Sequence, residues 1–174
     1  EVVLRLSARV VKSGRRPDQN EGTMICEHRL GYISANAAVD ESYSDPGTVI
    51  TLPEDPDASA ARLGRALEAR FGLGLGVVIT ATFGRPWRLG QVNVAKGLYR
   101  VPAKTSDIGS ADAGGRALAV TEPALSDELA AASGLVIAKA AKTPLVICRG
   151  VSWTAQDNSS ARDILRAQKE DMFR

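Results

Sequence analysis

The spacing of apolar and polar positions changes period several times along this chain, and each change marks an element. Glu1 to Val11, EVVLRLSARVV, sets apolar residues at helical spacing with Arg5 and Arg9 one turn apart, which predicts a helix already under way at its first residue. Ser13 to Gly22 is polar and carries Gly and Pro, a loop signature. Thr23 to Glu27 and Leu30 to Ala35 then read as two short strands with His28 between them, and Thr48 to Leu52 as another. The clearest helix follows. Asp55 is placed to cap it, Pro56 takes the first helical position, Ala60, Leu63, Leu67 and Phe71 share a face, and Gly72 stops it.

Beyond that helix, Val77, Val78 and Ile79 predict a buried strand that empties into a loop, ITATFGRPWRLGQ, ending at Gln91. Gln91 to Ala95 reads as a strand, Gly97 to Arg116 as a long irregular segment of the kind that usually carries function, and Ala117 to Thr121 as a strand. Pro123 opens a second helix through Leu125, Leu129, Ala132 and Val136, with Asp127 and Glu128 in its first turn where acids complement the helix dipole. Pro144 to Cys148 reads as a buried strand, and the tail from Asn158 as a short helix capped by Asn158 or Ser159. Residue patterns alone sum to an α/β protein.

Composition narrows the chemistry. With 22 basic and 20 acidic residues in 174, the net charge of +2 demands neither nucleic acid nor an anionic membrane. Cys26 and Cys148 each sit in an apolar run, which predicts small buried residues in a reducing compartment, and the single histidine makes a structural zinc site unexpected. The absence of a long apolar run or a signal peptide predicts a cytoplasmic protein.

The candidate chemistry gathers at loops. Arg85 and Arg88 flank Pro86 and Trp87, and two guanidinium forks beside a rigid pair suit phosphate or carboxylate recognition. The plainer alternative makes Trp87 a core anchor and both arginines solvated. Asn36 to Asp45, NAAVDESYSD, is an acid-bearing loop in which Asp40 is either a cation ligand or a turn residue bonding nearby amides. Lys139 to Thr143, KAAKT, either holds phosphate or is solvated. His28 reads as a hydrogen-bonded structural residue. Gly72, Gly74 and Gly76 occur in the order helix, glycines, strand, which is not that of a dinucleotide fingerprint, and no Walker lysine follows.

Several segments taken together resemble the coenzyme F420-0:L-glutamate ligase, or γ-glutamyl ligase, family. They are CEHRLGYISANAAVD, LPEDPDASAARL, TFGRPWRLGQVNVA, SDELAAASGLV and EDMFR, in family order and across almost the whole chain. With this resemblance the expected fold is α+β, with helices packed on mixed sheets. The resemblance implies one γ-glutamyl ligase-like domain over 1–174, corresponding to the C-terminal two-thirds of the family fold, as an intertwined homodimer. It implies an enzyme that joins L-glutamate by γ-linkage to F420-0, using GTP and Mg2+ or Mn2+. It further implies a preceding nucleotide-contacting section that these residues do not include, so that either much of the usual GTP site is missing or the section lies on a cleaved or second chain.

Carried over position by position, Asp40 closes the ANAAVD motif and Thr82 lies in TATFGRPW, and both are implied metal ligands. Where the family has a second aspartate, this chain has Ala81, whose methyl cannot bind a cation. Tyr43 replaces an asparagine that lies near the nucleotide, and Lys139, Ala140, Ala141, Lys142 and Thr143 match a segment at the nucleotide. Arg85 and Arg88 take the catalytic role of neutralising transferred phosphate. Lys96 is read as solvated, or as a cation standing in for lost metal charge. Ala81 also implies weakened or altered activity, a relative using another carboxylate and amine, or a non-catalytic binding or partner subunit.

Overall fold

The computed structural model describes residues 1–15, 22–137, 140 and 142–172. Its elements are helix α1 (Val2–Leu6), strands β1 (Ser7–Gly14), β2 (Thr23–His28) and β3 (Ile33–Ala35), helix α2 (Pro56–Phe71), strands β4 (Val77–Gly84) and β5 (Gln91–Tyr99), and helix α3 (Leu125–Ser133). Short 3-10 turns occupy Asn36–Ala38, Ala161–Ile164 and Gln168–Glu170. The fold is α+β with small sheets. β1, β2 and β3 form an antiparallel sheet in chain order, and β4 and β5 form a separate hairpin. The chain divides into two compact units, one of Glu1–Glu54, Phe83–Gln91 and Leu165–Arg174, the other of Asp55–Thr82 and Val92–Ile164.

In the first unit the expected opening helix is only one turn. From Ser7 the chain runs as β1, with Val10 opposite Cys26 and Lys12 opposite Ile25, and two register irregularities. Val10 and Val11 are β-branched and satisfy a strand as readily as a helix, and pairing with β2 decides between the two. Arg9 and Glu27 meet across the ladder at 2.8 Å. β2 delivers a fully buried Cys26 and a buried His28, whose Nδ1 accepts the Leu30 amide at 3.0 Å, so His28 is structural as expected. The second strand starts at Ile33 rather than Leu30, because a turn closed by the Gly31 amide on the His28 carbonyl takes up the residues between. Thr48 to Leu52 is not a strand. Its ladder pairing is a single bridge between Ile50 and Asp40, while Thr48 bonds within the turn to Asp45 and Ser44.

In the second unit α2 keeps both expected caps. Asp55 accepts the Ala58 amide at 2.8 Å, and Gly72 leaves the helix at φ 65°, a left-handed conformation that glycine adopts without strain. The buried face differs from the expected one. Pro56, Ala60 and Gly64 are buried, whereas Leu63 and Phe71 are exposed. Small residues there let β5 approach. A Cβ on Gly64 would stand 2.1 Å from the Tyr99 ring, and one on Gly97 would stand 2.3 Å from the Pro56 carbonyl oxygen. Two β5 amides then reach carboxylates in the first turns of the helices. Asp57 accepts Leu98 N at 2.8 Å, Ala161 N at 3.2 Å and Ser160 Oγ at 2.6 Å, and Asp127 accepts Ala95 N at 2.8 Å. Asp127 therefore does more than complement the α3 dipole.

The same unit holds Glu68 between Tyr99 Oη at 2.8 Å and Arg100 at 2.9 Å. The tyrosine's bond first, then the Leu75 amide at 3.2 Å and the arginine, hold its carboxyl below the ordinary value. Trp153 Nε1 donates to the Arg100 carbonyl at 2.9 Å. Leu98 and Val101 are the largest apolar side chains buried completely.

Three further expectations change. α3 spans Leu125–Ser133 and buries Ser126, Ala130 and Ser133, while Val136 lies beyond it and exposed. Ala117 to Thr121 forms one bridge, Ala111 to Ala117, because residues 105–123 pair loosely as a ribbon. Pro144 to Cys148 is not a buried strand. It is extended and unpaired in a ladder, with Leu145, Ile147 and Cys148 exposed.

Candidate functional site

The segment expected to be a loop beyond a buried strand is instead the tip of the β4–β5 hairpin. β4 runs through Thr82 to Gly84, and β5 resumes at Gln91. Between them the Arg88 amide reaches the Arg85 carbonyl at 3.5 Å, the Arg85 guanidinium donates to the Leu89 carbonyl at 3.0 Å, and Gly90 turns with φ 83°. The arms of the hairpin belong to the second unit and the tip, Phe83–Gln91, to the first. Trp87 is 79% exposed, which overturns its reading as a core anchor. Arg88 is exposed as well, whereas Arg85 is half-buried and its Nε, shielded from solvent, has no hydrogen-bond partner. The tip thus presents two cationic forks of unlike exposure on one short turn, an arrangement suited to an anionic group.

The acidic loop also lies in the first unit. Asn36, Ala37 and Ala38 all have positive φ, and Asn36 Oδ1 accepts the Met24 amide at 3.1 Å, anchoring the loop to β2. Asp40 exchanges backbone bonds of 3.0 and 2.7 Å with Ile50. Its exposed carboxylate accepts the Ser42 amide at 2.8 Å, a turn role that leaves it at the surface. Tyr43, 68% exposed at φ 63°, follows. The described residues hold no group of three or more His, Cys, Asp or Glu side chains suited to a metal ion.

The remaining expected residues belong to the second unit. Thr82 is exposed near the end of a β4 arm, with Ala81 half-buried beside it. Ala140, Lys142 and Thr143 are exposed, Lys142 at φ 50°. Lys139 and Ala141 lie outside the described residues. Lys96 is not solvated. It is 3% exposed on β5, and burial, opposed by the nearby Asp127 carboxylate, pulls its pKa down to about 8. An open groove of about 330 Å³ beside the Lys104–Glu122 ion pair, 2.9 Å long, is lined by none of the expected site residues.

Sequence reasoning missed the exposure of Trp87 and the part played by Asp57 and Asp127 in holding β5. The only available signal for the aspartates was an acid in the first turn of each helix, and that pattern has a sufficient explanation in the dipole. No helix among the described residues is long and apolar enough to cross a membrane.

Comparison with known proteins adds to this geometry. The family model for F420-0:gamma-glutamyl ligase matches residues 1–150. The coenzyme F420:L-glutamate ligase of Methanopyrus kandleri is 44% identical over 178 residues, spanning 100% of this chain and 68% of that protein. The protein of the same name from Methanothermobacter thermautotrophicus is 37% identical over 176 residues, with 100% and 68% covered. That of Methanosarcina mazei is 37% identical over 152 residues, with 87% and 60% covered.

Proposed function

The chain belongs to the F420-0:gamma-glutamyl ligase family, and from that membership we propose that it is an amide-forming ligase that adds L-glutamate by γ-linkage to F420-0 with GTP as co-substrate. The observation that carries the reading is the pair of arginines on the exposed hairpin tip of a chain 44% identical to a coenzyme F420:L-glutamate ligase. A carboxylate oxygen of F420-0 attacks the terminal phosphorus of GTP, the bridging P–O bond breaks, and GDP leaves. The glutamate amine then attacks the acyl carbon, phosphate departs with the C–O bond, and the amine proton passes to solvent. Negative charge gathers on phosphate oxygens in both steps. Arg85 and Arg88 are assigned to neutralise it, each such contact being worth about 3 kcal/mol in a well-formed site.

Tyr43 and the segment Lys139 to Thr143 are assigned to the nucleotide on the strength of the motif match. Asp40 and Thr82, hard oxygen donors, are the residues that would hold Mg2+ or Mn2+, which would supply charge neutralisation at the phosphates. Ala81 supplies no donor, so the site is proposed to bind metal weakly and to turn over slowly. We extend the proposal to a cytoplasmic homodimer.

Ala81 favours a second reading, a binding or partner subunit without catalysis. Metal titration of GTP binding, followed by the variant Ala81→Asp, separates the two. A ligase gains metal affinity and turnover together on that change. A partner subunit that gains metal affinity but forms no amide is inconsistent with the first reading.

A further inference from the structure

Trp87 combines a left-handed backbone with an exposed ring. A bulky residue at φ 55° is held in the left-handed region, a conformation unfavourable for any side chain with a Cβ. The ring obtained at that cost is 79% exposed, and Leu89 beside it is 94% exposed. The turn is fixed all the same, by the Arg85 guanidinium on the Leu89 carbonyl at 3.0 Å and by Gly90 at φ 83°. Strain kept at an exposed aromatic on a braced turn points to a use at the surface. Tyr43 repeats the pattern in the same unit, 68% exposed at φ 63°, while Trp153 is part-buried and bonded to the Arg100 carbonyl.

The charge beside the ring narrows the ligand. Arg88 is exposed, and the Arg85 Nε is buried without a hydrogen-bond partner, so the turn offers a π face together with unspent cationic hydrogen-bonding capacity. We propose that Trp87 is a stacking platform for a planar heteroaromatic ring that carries phosphate, with Arg85 and Arg88 meeting the phosphate. The inference rests on the ligase reading, which supplies two such ligands, F420-0 and GTP.

The test is calorimetric titration of the full chain with F420-0, with GTP and with inorganic tripolyphosphate, comparing wild type, Trp87→Phe and Trp87→Gly. Loss of a stacked ring weakens F420-0 or GTP by about ten- to a hundredfold in Trp87→Gly, and the ligand that weakens is the one stacked. Trp87→Phe retains affinity within about threefold, and tripolyphosphate binds all three proteins within about twofold, because an aromatic face is kept in the first case and unnecessary in the second. Glycine suits a left-handed turn, so Trp87→Gly melts no lower than wild type, and a merely structural tryptophan would give the opposite result. Unchanged affinity for both ring ligands in Trp87→Gly overturns the platform alone, as does a lowered melting temperature that accounts for the loss. A wild-type chain that binds neither F420-0 nor GTP overturns the ligase reading and the platform with it.

Discussion

The two ends of β5 sit in opposite surroundings. Towards its C-terminal end, in the second unit, amides are received by Asp57 and Asp127, and Gly97 lies so near the Pro56 carbonyl that no side chain fits. At its N-terminal end, on the tip assigned to the first unit, the conspicuous side chains are Trp87, Arg88 and Leu89, all exposed on a turn with left-handed backbone. One end uses small residues and carboxylates to hold a strand, and the other spends backbone strain to display an aromatic ring and cations. Substitutions at the first should therefore change stability, and substitutions at the second should change binding.

The largest effect is expected at Gly97. Replacing it with alanine drives a Cβ to within 2.3 Å of the Pro56 carbonyl oxygen, and backbone must move. A loss of about 3 kcal/mol or more should appear as a lower urea midpoint, and a midpoint equal to wild type would refute the tight contact. Next is Asp57→Ala, which strips the acceptor from Leu98 N, Ala161 N and Ser160 Oγ. About 2–3 kcal/mol should be lost, with Asp57→Asn recovering part of it because one oxygen remains.

Lys96→Met is expected to run in the other direction. The folded pKa of about 8 lies below the ordinary lysine value of 10.5, so the folded chain releases this proton first. Stability of the wild type should rise as pH climbs from about 8 towards 10.5, and the penalty should be fully present below that window. The methionine variant should lack the rise and be more stable at pH 7 by roughly 1 kcal/mol, since burying an ammonium is unfavourable even near a carboxylate. Equal pH slopes for the two proteins in denaturant titrations would contradict a buried charge.

The smallest stability change is expected at the tip. Arg88→Gln should leave the melting temperature where it is while weakening GTP or F420-0 by about tenfold, the value of one charge-assisted contact. A drop in melting temperature there would dissolve the distinction between the two ends.

This division also explains which parts of the molecule were legible from the chain. α2 was legible because its signals are local: Asp55 caps it, Pro56 starts it and Gly72 ends it. The placement of Arg85 and Arg88 on one short turn was likewise legible, since Gly84, Pro86 and Gly90 mark the break in period locally. β1 was not, because Val10 and Val11 fit either period and only pairing with β2 decides. Lys96 was misread because its burial depends on how closely β5 packs, a non-local fact. The buried face of α2 was legible at Ala60 and escaped elsewhere for a related reason: hydrophobicity pointed to Leu63 and Phe71, whereas close approach selects Gly64. Pro144 to Cys148 shows the limit of an apolar run as evidence of burial, for Ile147 is exposed.

The most direct test of the account is the mass of the product formed when the full chain is incubated with F420-0, L-glutamate, GTP and Mn2+. A γ-glutamyl ligase yields F420-0 heavier by one glutamyl residue, with one GDP released per amide and less product from Arg88→Gln. A chain that binds F420-0 and GTP yet leaves both unchanged contradicts the ligase reading and turns the exposed tip into the binding surface of a partner subunit.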